Sequence, residues 1–109
     1  MKINQYNDDG KEVGYWEGYH IIYGQLIYKG HYNNNGKRVG YWEFYYDNGQ
    51  LRYKGNYNDD GKEIGYWEYY HYKGHLESKG NYNANGKQVG YWEFYCDDGT
   101  LKNKKYYIL

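Results

Sequence analysis

The chain has 109 residues, with 14 basic and 14 acidic side chains that leave a formal net charge of zero; 20 tyrosines and 16 glycines stand beside no proline. A sequence-independent grip on nucleic acid needs a basic stripe, and none appears before Lys102, Lys104 and Lys105, so no nucleic-acid partner is expected. One small domain spanning 1–109 is expected; the absence of a signal peptide or a long apolar run, and a lone Cys96 that rules out an internal disulfide, point to a cytoplasmic protein.

A half-repeat over 1–13 leads into four returns of Gly-Tyr-Trp-Glu, at Gly14, Gly40, Gly65 and Gly90. The steps are 26, 25 and 25 residues, which divides the chain into units 14–39, 40–64, 65–89 and 90–109. A fixed period of this size marks a repeat protein, so one unit explains the whole. The glycines fall at set places among aromatic residues, unlike the composition of a disordered chain.

Each unit reads as a hairpin. In the second, residues 41–46 and 51–57 flank Asn48-Gly49, the short-range signal of a type I′ turn. Centring the turn there sets Glu43 opposite Lys54, Trp42 opposite Gly55 and Gly40 opposite Tyr57. Lys73-Gly74 sets Glu68 with Lys79, Trp67 with Gly80 and Gly65 with Tyr82, and Asp98-Gly99 sets Glu93 with Lys104. The first unit is one residue longer, and a loop over 22–24 restores Glu17 with Lys29 and Trp16 with Gly30. Rings laid over cross-strand glycines shield bare backbone, Trp over Gly and Tyr over Gly within each hairpin. The last unit has Lys105 where the others have glycine. Exposed Glu–Lys rungs contribute ~0.2–1 kcal/mol each and mainly hold register.

Tyr-Asn-x-x-Gly-Lys connects the hairpins at Tyr6, Tyr32, Tyr57 and Tyr82, supplying turn chemistry. The expected architecture is all-β: an open single-layer antiparallel meander of about nine strands, roughly 40 Å long at ~4.8 Å per strand. Alternation assigns Trp42, Phe44, Tyr46, Leu51, Tyr53 and Tyr57 to an apolar face, and Tyr41, Glu43, Tyr45, Arg52, Lys54 and Asn56 to an amphipathic one. Nothing remains in the sequence to cover the apolar face, so the sheet must curl, dimerise or meet a partner there. The chain ends, Met1 to Ile3 and Tyr106 to Leu109, add two open edges through which a homodimer is conceivable.

The spacing Gly-x-x-x-Gly-x-Trp-x-x-Tyr-x-x-x-Gly-x-Leu, at 36–51, 61–76 and 86–101, resembles the MORN-repeat variant of bacterial YwqK-like antitoxins; in the first copy Leu26 lies one residue farther on. The resemblance implies an open, twisted array of antiparallel hairpins used as an interaction module. Its matched residues are structural and carry no binding specificity across.

Little in the chain suggests chemistry. His20, Tyr46, His71 and Cys96 share a repeat position two strands apart, too far to hold one zinc, and His71 and His75 fall on opposite faces by the expected pairing. Glu17, Glu43, Glu68 and Glu93 recur in every unit opposite a lysine, the pattern of a salt-bridge ladder and not of a catalytic pair. Cys96 has no neighbour that would activate it, so neither an enzyme nor a cofactor or metal is expected. Tyrosine is favoured in recognition surfaces for its large, rigid, polar-tipped ring. The expected partner-binding residues are Tyr19, Tyr41, Glu43, Tyr45, Arg52, Tyr66, Glu68, Tyr70 and Tyr91. They suit a protein that blocks a protein target, as an antitoxin, an immunity protein or a phage inhibitor of a host defence enzyme. The alternatives are a self-assembling scaffold and a protein that sequesters a small molecule or nucleotide. Membrane attachment through 102–109 is not expected, because polybasic recognition takes about 4–8 cationic residues.

Overall fold

The computed structural model describes residues 2–108, so Met1 and Leu109 of the two expected edges lie outside it. Among the described residues nine strands follow the chain: β1 Gln5–Tyr6, β2 Glu12–Tyr19, β3 Leu26–Tyr32, β4 Arg38–Tyr45, β5 Leu51–Tyr57, β6 Glu63–Tyr70, β7 Leu76–Tyr82, β8 Gln88–Tyr95 and β9 Leu101–Tyr107. They form one open sheet in that order, each strand antiparallel to the next. The molecule measures 47 × 36 × 19 Å.

Every expected hairpin pair is present, Trp42 with Gly55 and Glu43 with Lys54 among them. The turn that produces them differs. Tyr46 N–H donates to the Gln50 carbonyl and Gly49 N–H to the Tyr46 carbonyl, so the loop is the three residues Asp47, Asn48 and Gly49. A type I′ turn needs positive φ at both central residues. Here Gly49 alone has it, at 86°, while Asn48 does not. The register then slips between Phe44 and Tyr45, which leaves Arg52 unopposed and pairs Leu51 with Tyr45. A longer loop and a bulge thus cancel, and the expected core register results from two offsets. Leu51 and Arg52 are displaced from the faces that simple alternation assigns them. The same geometry pairs His71 N–H directly with the His75 carbonyl, which the type I′ register separates. In the first hairpin the loop is four residues, 21–24, with His20 N–H on the Gln25 carbonyl and Gly24 N–H on the His20 carbonyl.

The two kinds of glycine serve different purposes. Gly40, Gly65 and Gly90 sit at φ 69–70°, and a Cβ on any of them would meet nothing within 4 Å. Tyrosine does not lie on these glycines, contrary to expectation; they are required for left-handed backbone. Gly40 begins an irregularity in which β4 runs on from Val39, opposite His31, to Glu43, opposite Lys29, with three residues facing Gly30. Gly30, Gly55 and Gly80 have ordinary φ but no room: a Cβ would lie 2.1–2.2 Å from Cδ2 of Trp42, Trp67 and Trp92 respectively. Each tryptophan therefore covers the glycine of the preceding hairpin and not the one opposite it in its own. The last hairpin has Lys105 at the matching position, its ammonium 4.9 Å from the Tyr107 ring.

These rings are the core. Trp42 and Trp67 have no exposed surface, and Trp16 and Trp92 are buried with Phe44 and Ser78. Every indole Nε1 donates backwards, to the carbonyls of Gln5, His31, Asn56 and Asn81, at 3.0–3.1 Å. Tyr32, Tyr57 and Tyr82 meet the following tryptophan edge-on at 4.9–5.1 Å, and the Arg38 guanidinium lies 5.3 Å from the Trp42 ring and 5.0 Å from that of Phe44. The apolar face is filled by its own rings, and the register shifts where Trp42, Trp67 and Trp92 meet the preceding hairpin.

Both rims repeat the coupling. Asn33 Oδ1 accepts from Asn35 and Lys37 N–H, closing its own turn, while Nδ2 donates to the Asp59 carbonyl of the next connector. Asn7 and Asn58 reach Asn34 and Ala84 in the same way. At the opposite rim Tyr46 OH donates to the Tyr70 carbonyl at 2.6 Å and Tyr72 OH to Asp47 at 2.8 Å.

Candidate functional site

The face opposite the tryptophans carries Tyr-x-Glu-x-Tyr on every even hairpin strand, which puts all three side chains on one side. Tyr41 OH donates to Glu43 Oε2 at 2.8 Å and Tyr45 OH to Oε1 at 2.6 Å. Tyr66 and Tyr70 hold Glu68 at the same distances, and Tyr15 and Tyr19 hold Glu17 likewise. The last unit keeps half of this clamp: Tyr95 bonds Glu93 at 2.7 Å, while Tyr91 turns to Tyr106, 4.8 Å away, beneath the Lys104 ammonium.

The lysines close the ladder, but mostly between hairpins. Lys29 meets Glu43 at 3.3 Å, and Lys54 meets Glu68 and Lys79 meets Glu93 at 3.4 Å. Only Glu93 also reaches its own hairpin's lysine, Lys104, at 3.5 Å. These glutamates are one-fifth to one-quarter exposed, so the rungs are half-buried and not surface pairs. Burial pushes the carboxyls of Glu43 and Glu68 up, but two phenol hydrogen bonds and a lysine outweigh it and hold both below the usual carboxylate range. Burial, followed by the hydrogen bond to glutamate, pushes the Tyr15 phenol up to about 12 and those of Tyr41, Tyr45, Tyr66 and Tyr70 higher still. The clamp is therefore an ionised carboxylate with neutral phenols over the physiological range.

Eight of the nine expected contact residues share this face. Tyr41 and Tyr66 are 48 % and 46 % exposed although their hydroxyls are tied down; Tyr19 and Tyr91 are also exposed. Arg52 stands apart, its guanidinium 5.4 Å from the Tyr46 ring and 5.8 Å from that of Tyr53, because the bulge turns it away from Glu43. Between neighbouring tyrosines lie open clefts. One is lined by Tyr15, Lys29, Gly30, His31, Tyr41 and Glu43, the next by Tyr41, Lys54, Gly55, Asn56, Tyr66 and Glu68.

A second exposed apolar feature breaks the repeat. Ile21 is fully exposed, with Ile22 and Tyr23 nearly so, at the tip of the first hairpin. His20 Nδ1 accepts from the N–H groups of Ile22 and Tyr23, and its ring stacks on Tyr23, so the tip is shaped. The signal was in the sequence: one extra residue, and Ile-Ile-Tyr where other hairpins have Asp-Asn, Tyr-Lys or Asp-Asp. His71 at another tip lies 3.5 Å from Glu77 and 3.4 Å from Asp97, and no group of three or more metal-ligating side chains comes together among the described residues. None of the described residues lies in a helix long and apolar enough to cross a membrane. Comparison with protein-family models, with curated proteins and with solved structures found no match to this chain.

Proposed function

We propose that this chain is a non-enzymatic protein-binding module of the MORN-like kind, which neutralises a partner protein in the cytoplasm as an antitoxin, an immunity protein or a phage inhibitor of a host defence enzyme. One observation carries the reading: on one face, Tyr41 and Tyr66 are exposed as rings while their hydroxyls are held by Glu43 and Glu68. Rigid aromatic rings lose little entropy on contact, which is why they dominate binding hot spots. Repetition of the same groups in every hairpin suits an extended contact better than a reaction centre. Self-assembly is the second reading, favoured by β9, whose seven residues have β8 as their one neighbouring strand.

Affinity capture from a native or host lysate tests both, with tagged wild-type protein beside a Tyr41→Ser/Tyr66→Ser variant. One enriched protein near 1:1 with the wild type, and lost with the variant, is the expected result. An eluate holding only this chain as a defined oligomer would refute the blocking role in favour of assembly, and excess absorbance at 260 nm would redirect it to nucleotide sequestration.

A further inference from the structure

We infer that the tyrosine face takes a proline-rich segment in the polyproline II conformation, lying across the strands with one helical turn in each cleft. The inference deepens the protein-binding reading and rests on it.

The clefts recur every second strand. Strands lie about 4.8 Å apart, so Tyr15, Tyr41 and Tyr66 follow one another at about 9.6 Å. A polyproline II helix repeats every three residues at about 3.1 Å each, or about 9.3 Å. An extended β-segment, rising about 3.3 Å per residue with side chains alternating, presents one face every about 6.6 Å and falls out of step. Of these two extended conformations, the threefold helix is the one that offers the same face to successive clefts.

The lining chemistry agrees. Each cleft has a tyrosine ring on either side and a glycine backbone for its floor, the aromatic slot into which proline rings pack. The clamp fixes those rings before any ligand arrives. Polyproline II makes no internal hydrogen bonds, so its carbonyls need outside donors. His31 lines one cleft and Asn56 the other, both exposed, and the Asn56 side chain carries an amide donor. Charge points the same way. The face carries Glu17, Glu43, Glu68 and Glu93 against Lys29, Lys54, Lys79 and Lys104, and three of the four glutamates are bound to lysine. A net-neutral surface suits an uncharged ligand.

Oligoprolines of 3, 6, 9 and 12 residues, titrated into the intact protein and followed by tryptophan and tyrosine fluorescence or amide chemical shifts, test this directly. Affinity is expected to climb with each added turn, about tenfold per cleft filled, and to level off near six residues, one turn in each of the two clefts. Tyr66→Ser should weaken the nine-residue ligand about tenfold, while Tyr66→Phe, which keeps the ring but frees it from Glu68, should weaken it by a smaller factor. Asn56→Ala supplies a second variant with the rings intact and should weaken binding several-fold. Absence of binding at every length, binding without length dependence, or equal binding of a Gly-Ser peptide of nine residues would overturn the inference. Light scattering that shows copies of the chain joined through Tyr41 and Tyr66 would do the same. A protein captured through Tyr41 and Tyr66 in the presence of inert oligoproline would leave the binding role standing and remove only this ligand.

Discussion

Gly55→Ala is the sharpest test of how the repeats are joined. The new Cβ would sit 2.1 Å from Cδ2 and 2.2 Å from Cε2 of Trp67, where carbon contacts prefer about 3.5–4.0 Å. Trp67 cannot yield easily: it has no exposed surface, donates to the carbonyls of Asn56 and Ile64 at 3.1 Å, and meets Tyr57 edge-on at 5.1 Å. Overpacking alone costs ~1–3 kcal/mol, and expelling the ring approaches the ~3–5 kcal/mol of truncating a buried aromatic. Restricting the unfolded chain returns only ~0.4–1 kcal/mol. The net expectation is a loss of about 3 kcal/mol, a substantial part of the ~5–15 kcal/mol that holds a domain together. In thermal melts that is a fall of about 12–24 °C, at ~4–8 °C per kcal/mol for a chain of this size.

Location of the loss matters more than its size. A double-mutant cycle by urea denaturation should give a coupling of about 2 kcal/mol between Gly55→Ala and Trp67→Leu, and additivity within ~0.5 kcal/mol with Trp42→Leu. Trp42 is the residue opposite Gly55 in its own hairpin, and Trp67 belongs to the next. Coupling that resides with Trp42, or a loss under about 1 kcal/mol, would refute the argument that tryptophans join one hairpin to the one before it.

Gly40→Ala meets no neighbour but forces alanine to φ 69°, so a loss of about 1–2 kcal/mol is expected in the same melts, larger for Gly40→Val. Acid unfolding should follow the clamp. The folded carboxyls of Glu43 and Glu68 are depressed, so their stabilisation is present above the unfolded carboxylate range and lost as pH falls through the folded values. Tyr45→Phe should therefore move the acid midpoint upward. At the other extreme the clamped phenols are raised, so their stabilisation is complete below about pH 10 and lost as pH climbs; phenolate absorbance of the native protein should lag behind that of the denatured chain. Ile21→Ser with Ile22→Ser should leave stability within about 0.5 kcal/mol, because neither side chain is packed, and a larger fall in melting temperature would show that the tip is docked.

Strand order, hairpin pairs and strand number were legible because they depend on period and on where turn residues fall. Positive φ was not. Asn48 is compatible with type I′ in sequence, and only the backbone shows that Gly49 alone is left-handed and that Arg52 absorbs the slip. Trp–Gly pairing was read correctly as a ladder position and wrongly as a contact. Directly opposed residues share a rung, but a large ring leans over a neighbouring strand, and the one-dimensional pattern is the same whether it leans forward or back. The partner choice of the ion pairs was missed for a related reason: Glu43, Glu68 and Glu93 each have a lysine on both neighbouring strands, and spacing alone does not choose between them.

Specificity must lie where the repeats differ. Glycine, tryptophan and glutamate recur because they join neighbouring hairpins, and the tyrosine hydroxyls because they hold the glutamate of their own strand, so none is free to distinguish one partner from another. His31, Asn56, Asn81 and Tyr106 occupy a single position beside the tyrosine row, and their identities differ along the ribbon. At the two ends they meet the tyrosine ring at an angle: His31 lies 5.2 Å from Tyr15, and Tyr106 lies 4.8 Å from Tyr91. In the middle Asn56 and Asn81 stand opposite Tyr41 and Tyr66, which puts two exposed rings beside amide donors at the centre of the face. A partner reading this surface along its length meets aromatic, amide, amide, aromatic in order. Exchanging His31 with Asn56 would keep every structural bond described and alter only that order.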